Sequence, residues 1–184
     1  KAWNISGGRF ARAKRTLAHK CFDEGDFMNC TKHLDDAIHV QPFVTRAWYL
    51  KGLAHMHLQE WDFAIAAFQG CINHDDDIAE AWANIGAIYM RRKDYVKALP
   101  ILEEALRRKR DSWKIMENVM IVQLQMGLLR QCISSMNSLL NIKNKTQCSY
   151  YGKELRLLSY NIAQNNATDG ENDSNKIRLN EMDK

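Results

Sequence analysis

Apolar residues recur along this chain at helical intervals, and no stretch alternates polar and apolar residues for long. Intervals of three and four residues place apolar side chains on one face of an α-helix, whereas strict alternation is typical of a strand. Leu and Ala are frequent, and Pro occurs only twice in 184 residues. The pattern therefore predicts an all-α protein built from amphipathic helices.

The helical pattern repeats at a fixed interval. Trp48 and Trp82 each follow an Ala, precede a Gly by four positions and lie 82 − 48 = 34 positions apart. Self-similarity at such an interval is the signature of repeat architectures. We therefore divide the chain into four windows of equal length, at residues 11–44, 45–78, 79–112 and 113–146, and number the places in each window from its first residue.

Several places hold the same kind of residue in successive windows. Small residues hold most positions at three places. The eighth place is Ala18, Gly52, Gly86 and Met120, and the twentieth is Cys30, Ala64, Ala98 and Cys132. The twenty-seventh place is Ala37, Cys71, Ala105 and Leu139. A large apolar residue always holds the seventeenth place, which is Phe27, Trp61, Tyr95 and Leu129. The fifteenth place, just before it, is Gly25, Gln59, Lys93 and Gly127 and predicts a turn.

Each window is predicted to form a helical hairpin, with one helix over about places 2–14 and a second over about places 16–30. A hairpin of this size buries its apolar stripes only by stacking on its neighbours, and small residues are needed where backbones approach closely. Trp48 and Trp82 are then equivalent wedges between hairpins. Pro42 ends the first window, and Pro100 lies inside a helix capped by Asp94, where it removes a hydrogen bond and bends the axis.

The hairpins define the predicted organisation of the chain. Residues 1–10 form a leader or the end of a preceding element, and the four windows form four hairpins. Residues 147–164 keep helical spacing and are predicted to cap the stack, since arrays need such a cap. Residues 165–184 are polar and acidic, and we expect disorder or weak order there. Because the first residue is Lys, we expect the chain to be part of a longer polypeptide.

Windows two and three resemble the tetratricopeptide repeat, through Trp48, Gly52, Ala64 and Phe68, then Trp82, Gly86, Tyr89, Ala98 and Ala105. The stretch "ALRRKRDSWKIMENV", at residues 105–119, is similar to the C-terminal repeat block of the tetratricopeptide repeat protein 27 family, and this resemblance covers roughly residues 9–145. It implies a right-handed α-α superhelix that acts as a non-catalytic protein-binding scaffold in the assembly or maturation of intracellular complexes. It also implies a cytoplasmic location, with the nucleus as an alternative.

Composition and charge narrow the classes of function. No apolar run reaches the roughly 18 residues that span a bilayer, and no secretory signal series opens the chain. The net charge of +4 is too small to indicate nucleic acid by itself. Five Cys without a CxxC spacing argue for a reducing compartment and against a zinc ribbon. The sequence thus predicts a protein that does not enter membranes.

Candidate chemistry is sparse. Cys30, Cys71 and Cys132 occupy small-residue places and are interpreted as packing residues. His55 and His57 are two residues apart on one helix, so they point apart, and we expect no metal site. Neither a phosphate loop nor a hydrolase or kinase motif occurs, so we expect neither a cofactor nor catalysis. The basic run at residues 107–110 complements a helix end, with nuclear import or an acidic or RNA partner as alternatives.

The resemblance also implies a binding site, because the first helix of each such hairpin lines the concave groove at places 2, 5, 9, 12 and 13. The candidate groove residues are Arg12, Arg15, His19, Arg46, Tyr49, Leu53, Asn84 and Lys114. Arginines suit carboxylates, and Tyr and Leu suit apolar side chains. We therefore expect the groove to bind an acidic, partly apolar segment. The alternatives are a groove occupied by the protein's own chain and a basic module that contacts RNA.

The family's best-known groove holds the C-terminal Asp of Hsp70 or Hsp90 in a carboxylate clamp. That clamp needs Lys and Asn on one hairpin, Asn on the next, and Lys and Arg on the third. Counted from window one, the residues are Arg15, His19, Leu50, Glu80 and Asn84, and counted from window two they are Tyr49, Leu53, Asn84, Lys114 and Asn118. Neither set is complete, which argues against direct binding of a chaperone tail.

Overall fold

The computed structural model describes residues 10–145, with side chains to residue 140. Eight helices form within these residues. The first helices of the four hairpins are α1 Ala11–Asp23, α3 Thr45–His57, α5 Ala79–Arg91 and α7 Trp113–Gln125, and the second helices are α2 Phe27–Val40, α4 Trp61–His74, α6 Tyr95–Arg108 and α8 Leu129–Lys145. The part of the chain at residues 10–145 contains no strand. The prediction of an all-α solenoid is confirmed.

The helices stack in the order of the chain. Each helix packs against the one before it and the one after it, and the first helices α5 and α7 also touch. Such a solenoid has no single central core but a series of apolar clusters between neighbouring helices. Residues 1–9 of the leader predicted at 1–10, the predicted capping helix at 147–164 and the predicted tail at 165–184 lie outside the described residues.

All four hairpins turn through the same backbone conformation at the fifteenth place. The φ angles are 79° at Gly25, 60° at Gln59, 58° at Lys93 and 73° at Gly127, all in the left-handed region. This region favours Gly because other residues bring Cβ close to a carbonyl oxygen. In hairpins one and three the next residue is an Asp N-cap, whose carboxylate accepts a hydrogen bond from a backbone amide of the second helix.

The two helices of hairpins two and three approach closely at the eighth place. A Cβ on Gly52 would lie 2.6 Å from an atom of the Phe68 ring, and one on Gly86 would lie 2.5 Å from a Leu102 methyl group. Both partner side chains are fully buried and cannot move aside cheaply. The prediction that small residues mark close approach is therefore confirmed at these two sites.

Trp48 and Trp82 occupy equivalent positions, as predicted. Each indole N–H donates a hydrogen bond to the backbone carbonyl six residues earlier, from Trp48 to Pro42 at 2.7 Å and from Trp82 to Asp76 at 3.1 Å. Each bond ties the start of a first helix to the loop that connects it to the preceding hairpin. The Trp48 ring also packs on Gly70 of its own second helix, where any added Cβ would clash.

The remaining sequence predictions concern single residues. Cys30, Cys71 and Cys132 are buried with free thiols, which confirms their interpretation as packing residues. Helix α6 continues through Pro100, whose side chain is exposed, from the Asp94 N-cap to Arg108. Because Pro100 has no N–H, the carbonyl of Val96 lacks its helical donor. None of the helices within residues 10–145 is long and apolar enough to cross a membrane.

Candidate concave groove

The first helices present a continuous partly exposed face. At places 2, 5, 9, 12 and 13 of all four hairpins, no residue is buried, whereas the eighth place is buried in every hairpin. The repeat therefore keeps one face of α1, α3, α5 and α7 open while the other packs against the second helices.

A cavity of about 580 Å³ opens on this face. It extends across α3, α5 and α7, and three of the eight candidate groove residues line it, namely Tyr49, Asn84 and Lys114. The small side chains of Ala83 and Ala87 also line it, which leaves room between the polar groups. The structure thus brings together residues that are 35 and 30 positions apart in sequence (84 − 49 and 114 − 84).

Tyr49 and Asn84 join neighbouring hairpins inside the cavity. The Asn84 side-chain amide donates a hydrogen bond to the Tyr49 hydroxyl at 3.3 Å. Burial raises the pKa of Tyr49, which therefore stays a neutral hydroxyl at physiological pH. The Tyr49 ring packs against Phe68, with 5.6 Å between ring centroids. The Tyr49 side chain is therefore held by Asn84 on one side and by Phe68 on the other. The side-chain oxygen of Asn84 and its second amide hydrogen stay available to a ligand.

The cavity wall carries charges of both signs. Lys109 lies at the end of α6 and binds the Glu80 carboxylate with 2.7 Å between Nζ and Oε1. The hydrogen bond from Lys109 lowers the pKa of Glu80. Lys114 is exposed, and its ammonium lies 5.7 Å from the Trp113 ring centroid. The paired Glu80 is neutralised locally, whereas Lys114 and Asp111 line the cavity without an ion pair within residues 10–140. Lys114 is a cation that can receive a ligand carboxylate, and Asp111 adds a carboxylate to the same wall.

The other five candidate residues lie outside this cavity. Arg12, His19 and Arg46 are exposed, and neither arginine forms an ion pair within residues 10–140. Arg15 donates a hydrogen bond to the side-chain oxygen of Gln41 at 2.7 Å. Leu53 lines a second cavity of about 310 Å³, together with residues near the far ends of α3 and α5. The structure therefore does not bring all eight candidates into one pocket.

Sequence reasoning missed several residues of the cavity. Lys109, Trp113 and Asn118 line it, but none was among the eight candidates. Asn118 has the same place in window four as Asn84 has in window three, and the repeat did place it in the clamp comparison, although not among the eight candidates. Lys109 was interpreted as a helix-end cation, and its ion pair with Glu80 depends on how the loop after α6 folds back.

The basic run at residues 107–110 is largely engaged within the fold. Arg107 and Arg108 both pair with Glu104, and Arg108 also reaches Asp76 at 3.2 Å. The Arg108 guanidinium lies 4.9 Å from the Trp82 ring centroid. These cations therefore connect hairpins two and three more than they form a free basic patch. No group of three His, Cys, Asp or Glu residues that could hold a metal ion occurs within residues 10–140.

Two family models, each described as "Tetratricopeptide repeat", match this chain. One matches residues 22–78 and the other residues 79–112. Their common boundary coincides with the boundary between windows two and three. The matches therefore cover most of hairpin one and all of hairpins two and three.

Curated relatives share about a quarter of the aligned residues. The chain is 29% identical over 145 residues to tetratricopeptide repeat-containing protein trd-1 of Caenorhabditis elegans. It is 26% identical over 149 residues to a TPR repeat-containing protein of Schizosaccharomyces pombe. These alignments cover 79% and 80% of this chain but only 19% and 18% of the relatives, so the chain spans about a fifth of their length.

Solved structures support the fold. The crystal structure of MamA superimposes with a TM-score of 0.75 at 18% identity, covering 79% of this chain and 85% of that one. The first TPR of Spaghetti (RPAP3), bound to the HSP90 peptide SRMEEVD, superimposes with a TM-score of 0.60 at 12% identity. This superposition covers 64% of this chain and 93% of the RPAP3 domain. At these identities the likeness concerns the fold alone.

Proposed function

Because the chain carries tetratricopeptide repeats, we propose that it is a non-catalytic scaffold whose concave groove binds an acidic, partly apolar segment of another protein. The observation that carries the proposal is the cavity shared by α3, α5 and α7, where Tyr49, Asn84 and Lys114 meet. It offers amide groups for a peptide backbone and a cation for a carboxylate, beside the small side chains of Ala83 and Ala87.

The basic residues at the other end of the groove extend this site. Arg12 and Arg46 hold the second place of hairpins one and two, and Lys114 holds the same place in hairpin four. Exposed cations in a row attract an acidic partner and set its orientation more than they stabilise the fold. They support an acidic ligand over a basic or purely apolar one.

The experiment reverses two charges in the groove. The double variant Arg15→Glu with Arg46→Glu should strongly reduce co-purification of the natural partner with the full-length protein, because like charges then face its carboxylates. Thermal unfolding should change little, since surface charges contribute little to stability. The matched control is Lys32→Glu with Arg130→Glu, which changes two exposed cations on second helices by the same amount.

Two results would reject the groove as the binding site. Either the double variant keeps wild-type binding, or it loses binding only because it unfolds. In the first case the partner binds elsewhere, and the convex face is the next surface to test. In the second case the two arginines are structural, which favours a groove that the protein's own chain occupies.

An RNA partner has less support. Three of the four residues in the basic run already form ion pairs with Glu80, Glu104 or Asp76. Neutralisation of phosphates would make binding fall steeply with ionic strength. An affinity that hardly changes with salt would therefore reject RNA.

A chaperone tail is also disfavoured as the partner. The RPAP3 domain was solved with an HSP90 peptide. In this chain Tyr49 and Leu53 stand where the resemblance implies the Lys and Asn that open a carboxylate clamp. Although Asn84 and Lys114 line the cavity, the first half of that clamp is missing.

We also propose that the chain derives from the tetratricopeptide repeat protein 27 family and that the whole protein acts in the cytoplasm in assembling protein complexes. The support is the stretch at residues 105–119 and the coverage of long repeat-containing relatives. Fluorescence microscopy of the tagged full-length protein tests the location. Nuclear signal that disappears when Arg107 and Arg110 are changed to Ala would instead support the alternative that the basic run acts in nuclear import.

A further inference from the structure

The floor of the groove is divided lengthwise into two rows. Along the C-terminal halves of the first helices, places 9 and 12 form an apolar row that only His19 interrupts, made of Phe22, Leu53, Met56, Ala87, Met90, Ile121 and Leu124. The first five are partly exposed, and Ile121 and Leu124 are 37% and 47% exposed. The row runs through all four hairpins. An exposed apolar row of this length is typical of a surface that binds a partner.

The N-terminal halves of the same helices carry a basic row at the second place. Arg12, Arg46 and Lys114 belong to it, and none of them forms an ion pair within residues 10–140. Glu80 holds this place in hairpin three, but its carboxylate is bound by Lys109. Within the described residues, this row is therefore positive at three of its four positions and neutralised at the fourth.

The two rows lie on one continuous surface. Residues from places 2, 5 and 9 line the first cavity together, as Lys114, Ala83 and Ala87 show. Residues from places 9, 12 and 13 line the second cavity, including Leu53 and Met56. Places 2 and 9 are seven residues apart, which is about 10 Å along a helix. That separation matches the roughly 10–12 Å diameter of an α-helix with its side chains.

The two kinds of side chain on the groove floor also favour a helix. A helix can carry apolar residues along one flank and acidic residues along the adjacent flank, because residues three and four positions apart share a face. An extended segment points successive side chains to opposite sides, so only one of the two sets would face the groove floor.

We propose that the occupant of this groove is an amphipathic α-helix of a partner protein, with an apolar stripe on one flank and acidic residues on the other. Its apolar stripe lies on the row that includes Leu53 and Leu124, and its acidic flank faces Arg12, Arg46 and Lys114. The mode is helix-in-groove recognition with a fixed lateral orientation. This inference rests on the proposed function, because it requires the groove to be the binding site.

The test uses two synthetic peptides of identical composition. The helical probe has three heptads, with Leu along one stripe and Glu along the adjacent flank. The control peptide places the same Leu and Glu residues in strict alternation, which suits an extended segment. Fluorescence anisotropy is measured with the 184-residue chain. We expect the helical probe to bind at least about tenfold more tightly than the alternating peptide, with a gain of helix in circular dichroism and weaker binding at high salt.

Variants then locate the two flanks. Leu124→Asp and Arg46→Glu should each weaken binding of the helical probe by about tenfold or more. Both side chains are exposed, so neither change should unfold the protein. The matched controls are Val96→Asp and Arg130→Glu, which make the same kinds of change at exposed positions of second helices. These controls should leave the affinity unchanged.

Three results would overturn the inference. The first is that the alternating peptide binds as tightly as the helical probe or more tightly. The second is that the Leu124→Asp variant binds the helical probe with wild-type affinity. The third is that the wild-type chain does not bind the helical probe at millimolar concentration. The double variant Arg15→Glu with Arg46→Glu separates this failure from failure of the proposed function. If that variant loses the natural partner while the wild-type chain fails to bind the helical probe, the groove is the site but its occupant is not such a helix. If it keeps the partner, the proposed function itself fails.

Discussion

At the scale of single residues, Trp82 holds three elements at one junction. Its indole packs against the apolar cluster formed by Ala79, Ala105 and Ile115. Its N–H binds the loop before α5, and the Arg108 guanidinium covers its ring. Asp76 and Glu104 hold that guanidinium in turn. The junction thus combines burial, one hydrogen bond and a cation–π contact on one side chain.

Trp82→Ala should lower the free energy of unfolding by about 3 kcal/mol, near the lower end for buried aromatic residues, because part of the ring is exposed. Urea unfolding measures the change. Trp82→Phe serves as the control, since it keeps most of the apolar contact, loses the N–H donor and should cost about 1 kcal/mol from the lost hydrogen bond. A loss below about 1 kcal/mol for the Ala variant would show that the indole does not hold the junction.

The buried thiols predict a dependence of stability on alkaline pH. Burial raises the pKa of Cys30 and of Cys71 from 9.0 to about 11. A group with a raised pKa contributes stability that is fully present below its unfolded pKa and is lost as pH rises through the folded value. The free energy of unfolding should therefore fall between pH 9.0 and about 11.

Urea unfolding across this interval, in the wild type and in the variant Cys30→Ala with Cys71→Ala, tests the prediction. The fall should be less steep in the variant, because two of the titrating groups are absent. Comparing slopes removes the contribution of the Tyr and Lys residues that titrate in the same range. Parallel profiles in the two proteins would contradict the assignment of the raised pKa values to these thiols.

At the scale of elements, the hairpin depends on one turn geometry used four times. Gly occupies the left-handed position in hairpins one and four, whereas Gln59 and Lys93 adopt it in hairpins two and three. The unfavourable conformation at those two residues is outweighed by the packing of the helices on either side. The turn is therefore set by the hairpin as much as by its own residue.

Gly127→Ala should destabilise the protein by about 1–2 kcal/mol, the usual cost of the left-handed region for a residue with a Cβ. A Cβ there would meet no atom within 4 Å, so backbone strain is the only structural cost. The converse change Lys93→Gly removes such strain and should not destabilise the protein. Thermal and urea unfolding of both variants test the pair, and a neutral Gly127→Ala would contradict this account of the turn.

The positions of the helices could be predicted from sequence, and their ends only approximately. The expected second helices start at place 16, but in hairpins one and three that place is Asp26 or Asp94, which acts as the N-cap, so the helix begins one residue later. The expected first helices start at place 2, and each begins one residue earlier. Apolar spacing fixes which face is buried, whereas caps and loops fix where a helix ends.

At the scale of the whole molecule, the groove could be predicted only in part. The repeat places Tyr49, Asn84 and Lys114 on one face, and they do line one cavity. The neutralisation of Glu80 by Lys109 could not be predicted, because it depends on the path of the loop after α6. Periodicity therefore identifies which residues share a face, and the loops between hairpins decide which charges on that face remain free.

Stacking between neighbours also makes stability local, and hairpin four lacks the Trp and Gly that fix hairpins two and three. Met116 stands where hairpins two and three have Trp48 and Trp82, so it cannot donate the indole hydrogen bond that those two residues make to the preceding loop. Met120 stands where they have Gly, and it packs with Met116 and Met136. Methionine fills irregular space but specifies a packing arrangement poorly, because its side chain is flexible.

Native-state hydrogen exchange should therefore find that the amides of α7 and α8 open at lower free energy than those of α3 to α6. Hairpin one is the internal control, because it also has a single described neighbouring hairpin but keeps Ala18 at the eighth place, fully buried beside α2. If position at an end of the described stack alone mattered, hairpins one and four would exchange alike. Faster exchange in hairpin four than in hairpin one would assign the difference to the methionine packing. Protection of α7 and α8 equal to that of α3 and α4 would show that methionine holds this hairpin as firmly as glycine and tryptophan hold the others.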